Sequence, residues 1–291
     1  MDNRSEAREF LTTRRAKVTP AQAGLPDYSG HRRVPGLRRE EVALLAGVSV
    51  DYYTRLERGN LAGASDAVLS ALARALQLDD AETAHLIDLA RSANPSPIAR
   101  RRRTSSDSVR PGLHRVLDAI TDAPAVITTA RSDYLAGNAL GRALYAPIFA
   151  MPRPNGARFS FLDPAAPEFY PEWERVTQEV VANLRAEAGR SPTDRRLVEL
   201  VGELSMSSER FRTLWAAHDV RHHRTGSKRL NHPVVGELAL DYEAMELSAD
   251  PGLKLSVFTA EAGSVSAEAL RLLGSWAAES SDDRPTGVRR P

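Results

Sequence analysis

The sequence predicts an α+β protein in two parts: an all-α, five-helix N-terminal domain (residues 1–91) and a mixed C-terminal domain with an antiparallel sheet (residues 113–279). Three observations carry this. Residues 5–90 are filled with apolar residues at helical spacing, punctuated by capping residues and glycines. Residues 92–112 then shift to Pro, Ser and Arg, including Asn94-Pro95-Ser96-Pro97 and the run Arg100–Arg103, which reads as a linker. Beyond it, short segments that alternate apolar with polar appear among helical ones, as antiparallel strands do.

In order, residues 5–16 set Phe10 and Leu11 among charges and predict the first helix, and Pro20 and the stretch Gly24–Gly36 predict a loop. From Leu37, the apolar residues Val42, Leu45 and Ala46 recur at helical spacing until Gly47, which supplies the positive φ of a helix end. Ser49 is an N-cap, and a second short helix with Val50, Tyr53 and Leu56 runs to Gly59. Helix, three-residue turn, helix is a helix-turn-helix or, equally in form, any αα-hairpin of a bundle. Ser65 or Asp66 caps a helix with Val68, Leu69, Leu72, Ala73 and Leu76, and Asp79 or Asp80 caps a fifth with Leu86, Ile87 and Leu89.

In the second part, Leu113–Ile120 predicts a helix, Ala125–Thr129 a strand, and Asp133–Asn138 a strand and turn feeding a helix through Tyr145 and Phe149. Pro167–Arg190, Asp194–Leu204 and Ser208–Ala217 read as helical. Val220–Arg224, Leu230–Tyr242 and Leu253–Thr259 read as strands. A final helix starts at Gly263 or Ser264 and passes Trp276; residues 280–291 are expected to be a disordered tail.

Composition excludes several classes. There is no cysteine, hence no disulfide, thiol nucleophile or cysteine zinc site. No uncharged apolar run approaches a membrane span and the N-terminus has no apolar signal core, so a cytoplasmic protein without membrane partners is expected. The net charge of +1 is uninformative, but its distribution is not. Arg4 to Arg39 holds nine Arg or Lys against three Asp or Glu, whereas Asn60 to Ala90 holds one Arg against five acids. A one-sided basic surface is what a phosphate footprint requires.

The residues of the helical pair carry a resemblance. Ala43, Gly47, Val48, Ser49, Leu56, Glu57 and Gly59 match the Cro/repressor-like (XRE) helix-turn-helix pattern. The longer string from Arg32 through Ala43, with Asp51-Tyr52-Tyr53-Thr54-Arg55-Leu56-Glu57, resembles the MmyB-like regulators within it. The second part is similar to the PAS-like ligand-binding domain of the same regulators, through Phe161-Leu162-Asp163-Pro164, Trp173, Leu184-Arg185, the string Phe211–Val220, and Lys228 with His232–Gly236. The chain departs in two places: Asn60-Leu61-Ala62-Gly63-Ala64 replaces a basic, Gly/Pro-rich stretch, and Gly137 stands where relatives often have Trp, which predicts an enlarged or reshaped cavity.

The resemblance implies a sequence-specific DNA-binding transcriptional regulator, more often a repressor than an activator. It implies a homodimer on a double-stranded DNA operator, with a small-molecule effector that is apolar or fatty-acid-like. In the usual docking, Ser49, Val50, Asp51, Tyr52, Thr54, Arg55 and Arg58 of the second helix face DNA, while Arg32, Arg33, Arg38 and Arg39 reach phosphates. Arg55 suits a two-pronged bond to guanine and Val50 a thymine methyl; Asp51 suits cytosine, or an arginine of the protein itself. The candidate ligand-binding residues are Asn138, Phe159, Phe161, Phe211, Arg212, Trp215, Lys228 and His232. Of these Lys228, Arg212 or His232 would hold a carboxylate.

The competing chemistries find little. His218, His222 and His223 lack an acidic partner set, and a strand would point His222 and His223 to opposite faces, so no metal is expected. No phosphate loop, nucleophile elbow or dinucleotide fingerprint occurs, so neither a catalytic residue nor a cofactor is expected. The alternatives that stay open are a C-terminal domain that only dimerises or binds a protein partner, and a DNA-tethered enzyme.

Overall fold

The computed structural model describes residues 3–25, 35–94, 108–217 and 225–282. The first five helices are α1 (Asn3–Lys17), α2 (Arg39–Ala46), α3 (Val50–Glu57), α4 (Asp66–Ala75) and α5 (Asp80–Ala93). There follow α6 (Pro111–Ala119), β1 (Ala125–Thr129), β2 (Tyr134–Gly137), α7 (Ala139–Leu144), α8 (Ala146–Phe149), α9 (Gly156–Leu162) and α10 (Ala166–Phe169). The chain continues through α11 (Trp173–Arg190), α12 (Arg195–Ser207), α13 (Glu209–Ala216), β3 (Thr225–His232), β4 (Gly236–Glu246), β5 (Leu253–Thr259) and α14 (Val265–Asp282). It is an α+β protein, as the sequence predicts. The expected strand at 220–224 lies outside the described residues, as do most of the linker and the tail beyond Asp282.

Two compact units form. The first takes in Met1–Arg102 and Val181–His222, the second Arg103–Val180 and His223–Pro291. The segment expected as one sensor domain thus gives Val181–His222 to the unit that holds the helix-turn-helix. The division falls within α11.

In the first unit, local rules set the ends of the helices. Arg38 stays extended and its backbone N–H donates to the Glu41 carboxylate at 2.6 Å, so α2 begins at Arg39 rather than Leu37. Gly47 closes α2 at φ 65°, Ser49 accepts the Tyr52 N–H at 3.1 Å, and Ser65 and Asp79 cap α4 and α5. Phe10, Leu11, Leu37, Val42, Tyr53, Leu56, Leu61, Leu72 and Leu89 form one apolar core, which Ala186 of α11 joins.

In the second unit the five strands are antiparallel in the order β2-β1-β5-β4-β3. Alternation along β1 serves two cores. Val126 faces the larger, with Leu230, Leu238, Leu240, Phe258 and Leu273; Ala125 and Ile127 face the smaller, with Leu113, Leu117, Leu253 and Leu255. The expected strand Leu230–Tyr242 is in fact a hairpin. Pro233 cannot donate to a ladder and Gly236 takes φ 74°, so the chain turns between β3 and β4 and pairs His232 with Gly236.

Candidate nucleic-acid interface and ligand site

The candidate DNA-reading surface is the outer face of α3. Tyr53, Leu56 and Glu57 turn inward, while Ser49, Val50, Asp51, Arg55 and Arg58 are exposed and Tyr52 and Thr54 half-buried. This is the split that a 3.6-residue period gives when one stripe of a short helix is spent on packing. The Arg55 guanidinium lies over the Tyr52 ring, 4.8 Å from its centroid. A stacked arginine keeps its fork of donors while losing less rotamer freedom on binding. Ser49 spends one lone pair on the cap and keeps its O–H free to donate. Arg38 and Arg39, exposed at the start of α2, stand beside this face in sequence and fold; Arg32 and Arg33 lie outside the described residues.

Behind the face lies a buried charge. Glu57 is 2% exposed. One carboxylate oxygen accepts from Arg15 Nε at 2.5 Å and from the Tyr53 hydroxyl at 3.2 Å, and the other accepts from Arg39 Nε. Arg15 also donates to the Leu37 carbonyl at 2.8 Å. Burial pushes the Glu57 carboxyl up, but the two arginines outweigh it and hold it below the usual range. One carboxylate therefore ties α1, the start of α2 and the end of α3 together. It also holds Arg39 by one edge, leaving the guanidinium about half exposed.

The second unit gathers aromatic rings on one side of its sheet. Tyr145 lies 5.2 Å from Tyr134, 6.4 Å from Phe169 and 5.5 Å from Phe258 between ring centroids. Phe159 and Tyr170 pack on Phe169 at 5.5 and 4.9 Å, and Tyr242 on Phe258 at 6.0 Å. Burial raises the pKa of the Tyr134, Tyr145, Tyr170 and Tyr242 phenols; neighbouring tyrosines add to this at Tyr145 and Tyr170, and Glu179 adds to it at Tyr242. They stay neutral donors and acceptors in an apolar interior. The Lys228 ammonium lies 5.5 Å from the Tyr170 ring centroid; burial lowers its pKa against the opposing pull of Glu179.

Residues 109–273 match the model of the MmyB-like transcription regulator ligand-binding domain, and residues 7–86 match a helix-turn-helix domain. The first match alone spans more than half of the chain. The chain belongs to the MmyB-like transcription regulators. No curated protein matches it. It is accordingly a DNA-binding transcription regulator with a ligand-binding domain. Both domains are characteristic of regulators rather than enzymes, and among the described residues no helix is long and apolar enough to cross a membrane.

The regulator's sequence-predicted ligand residues divide between the two units. Phe211, Arg212 and Trp215 lie on α13, in the first unit, where Phe211 stacks on Trp215 at 5.4 Å and Arg212 donates to the Ser205 carbonyl at 2.9 Å. Asn138 is a structural residue. Its oxygen accepts from the N–H groups of Ala125 and Gly141, and its amide donates to the carbonyls of Ile120 and Ala123. An asparagine has no further capacity to offer a ligand. His232, 2% exposed, is spent likewise. Nδ1 accepts from Val234 N–H at 3.2 Å, so Nε2 carries the proton donated to the Ala143 carbonyl at 3.0 Å, and burial lowers its pKa.

The remaining three stay in the second unit: Phe159 in the aromatic group, Phe161 half-buried, and Lys228 beside Tyr170. At Gly137, where an enlarged or reshaped cavity is expected, little space is left. A Cβ there would meet the Ala125 carbonyl oxygen at 3.2 Å and the Arg142 side chain at 3.4 Å. Arg142 fills it, bonding the Gly137 carbonyl at 3.0 Å and covering the Phe149 ring. His218, His222 and His223 lie outside the described residues, among which no cluster of metal-binding side chains occurs.

Sequence reasoning missed Tyr134, Tyr145 and Tyr242. The only signal was their type: a tyrosine in a strand or helix facing the core needs its hydroxyl satisfied, so several together mark a polar spot inside an apolar core.

Proposed function

We propose that the protein is a repressor. It binds a short palindromic operator as a homodimer, and an apolar, fatty-acid-like molecule in the second unit controls it. What carries the reading is the outer face of α3. Its side chains include two exposed arginines, one of them stacked on Tyr52, the exposed Ser49 and the half-buried Thr54, with no acid besides Asp51. Two copies of such a helix one DNA turn apart, about 34 Å, give the affinity that a single half-site lacks.

For the ligand, support comes from rings that bury apolar area while four phenols and Lys228 supply polar ends. That combination suits an acyl chain with a carboxylate head held by charge and hydrogen bonds. A cytoplasmic location fits this role.

The first test is a duplex selected from a random pool by the full-length protein, titrated at two salt concentrations. Discrimination against an unrelated duplex that survives added salt is expected of a sequence reader. Arg55→Ala should relax that discrimination, and binding like the parent's would overturn the docking. Mass spectrometry of the purified protein, native and after organic extraction, tests the ligand. A stoichiometric acyl compound is expected. A dimer that stays empty after incubation with acyl chains would make the second unit an assembly domain instead.

A further inference from the structure

We infer that Arg4, on the first helix, belongs to the DNA-contacting surface and grips a backbone phosphate together with Arg58 at the far end of α3. The inference rests on the reading of α3 as the DNA-facing helix. It starts from a cleft of about 370 Å³ lined by Arg4, Asp51, Thr54, Arg55, Arg58 and Asn60. Five of these belong to α3, its C-cap or the two residues after the cap; Arg4 comes from another helix.

What brings Arg4 there is backbone packing. Gly59 follows α3 at φ 86°, and a Cβ on it would lie 2.0 Å from the Arg4 carbonyl oxygen. Only glycine lets the first turn of α1 approach this closely. The Arg4 side chain lies along the same stretch, its Nε 3.4 Å from the Arg58 carbonyl. One residue earlier, the Asn3 amide donates to the Leu89 carbonyl at 3.1 Å and anchors the start of α1 on α5. The position of Arg4 is therefore set from two sides, while its side chain is exposed.

Charge decides what the cleft takes. Three arginines and one aspartate line it. Asp51 and Arg58 are seven residues apart on the helix, about 10 Å. The acid thus sits at the base-reading N-terminal end, and Arg4 and Arg58 share the other. A phosphodiester, monoanionic and rich in acceptors, fits that end, and Asn60 adds an amide donor. The sequence hid this because Arg4 is one basic residue among the nine in its stretch.

The test uses the full chain, the selected duplex and an unrelated duplex of equal length, over a series of NaCl concentrations. Arg4→Ala should weaken both duplexes by the same factor, about three- to tenfold, and lower the salt slope by about one per protomer, with melting temperature unchanged. Arg4→Lys should restore most of the affinity. Parental binding and slope for Arg4→Ala, with Arg55→Ala impaired, would overturn this inference alone. If Arg55→Ala also bound like the parent, the reading of α3 would fall with it. A loss confined to the selected duplex would make Arg4 a base reader and overturn the phosphate assignment.

Discussion

The Glu6–Arg185 ion pair offers the sharpest energetic test of the first unit. Arg185 is fully buried and Glu6 is 5% exposed. The Arg185 guanidinium donates to the Glu6 carboxylate and to the Trp215 carbonyl, and its Cζ lies 4.1 Å from the Trp215 ring centroid. Burial lowers the Arg185 pKa while Glu6 holds it up, yet a guanidinium does not lose its proton in a protein. Glu6→Ala therefore strands a buried charge, at about 3–5 kcal/mol. At roughly 2–4 °C per kcal/mol for a domain of this size, the melting temperature falls by about 6–20 °C. Replacing both partners, Glu6→Leu with Arg185→Met, keeps the volume and removes both desolvation penalties, so it should return to within about 1 kcal/mol of the parent. Urea unfolding followed by circular dichroism and tryptophan emission, to which Trp215 contributes beside Trp173 and Trp276, reads all three proteins. The reasoning fails if Glu6→Ala lies within about 1 kcal/mol of the parent, or if the double variant is as unstable as the single one.

The two glycines of the helical pair should separate strain from clash. Gly47→Ala meets nothing within 4 Å and costs about 1–2 kcal/mol for its left-handed backbone, whereas Gly59→Ala must also displace α1 and should cost about 2–5 kcal/mol, read by urea midpoints. The Glu57 carboxyl, held below its ordinary 4.5, contributes stability that is present above about pH 4.5 and lost as pH falls through its lower folded value. Acid titration of the melting temperature should show that loss, and a shallower acid slope in Glu57→Gln. His232, held below its ordinary 6.5, is stabilised neutral, so the second unit should lose stability as pH falls from about 6.5; His232→Gln should flatten that limb.

The helices of the DNA-binding module were legible because their signals are local. A glycine at φ 65°, a serine accepting from the third residue on, and an apolar stripe lie within one or two turns of sequence. The recognition face followed as the complement of that stripe. The buried polar groups were not legible. Arg185 stands in an amphipathic helix where a solvated arginine reads the same, and its partner Glu6 is 179 residues away. Asn138 and His232 looked like polar groups offered to a ligand, but backbone carbonyls 18 and 89 residues distant consume them. Phe211 and Trp215 have a pocket's composition, but composition carries no information about which unit a helix joins, and theirs joins the first.

Arg39 and Arg15 share one carboxylate, and their substitutions should divide stability from binding. Arg15 is 15% exposed at its side chain and holds both Glu57 and the Leu37 carbonyl. Removing it leaves a buried carboxylate with only Arg39 and the Tyr53 hydroxyl, at about 2–4 kcal/mol. Arg39 is 52% exposed, and without it Glu57 keeps Arg15 and Tyr53, so the stability lost stays near 1 kcal/mol. Glu57, however, holds only one edge of the Arg39 guanidinium, which leaves the other edge beside α3, where phosphate would lie. Arg39→Ala should therefore bind the selected and unrelated duplexes more weakly by equal factors at nearly parental stability. Arg15→Ala should lose stability first, and bind as the parent does at temperatures where it remains folded. If Arg39→Ala instead proved the less stable and bound both duplexes normally, Glu57 would be holding an internal brace and not a phosphate contact, and the cationic surface would begin at Arg38.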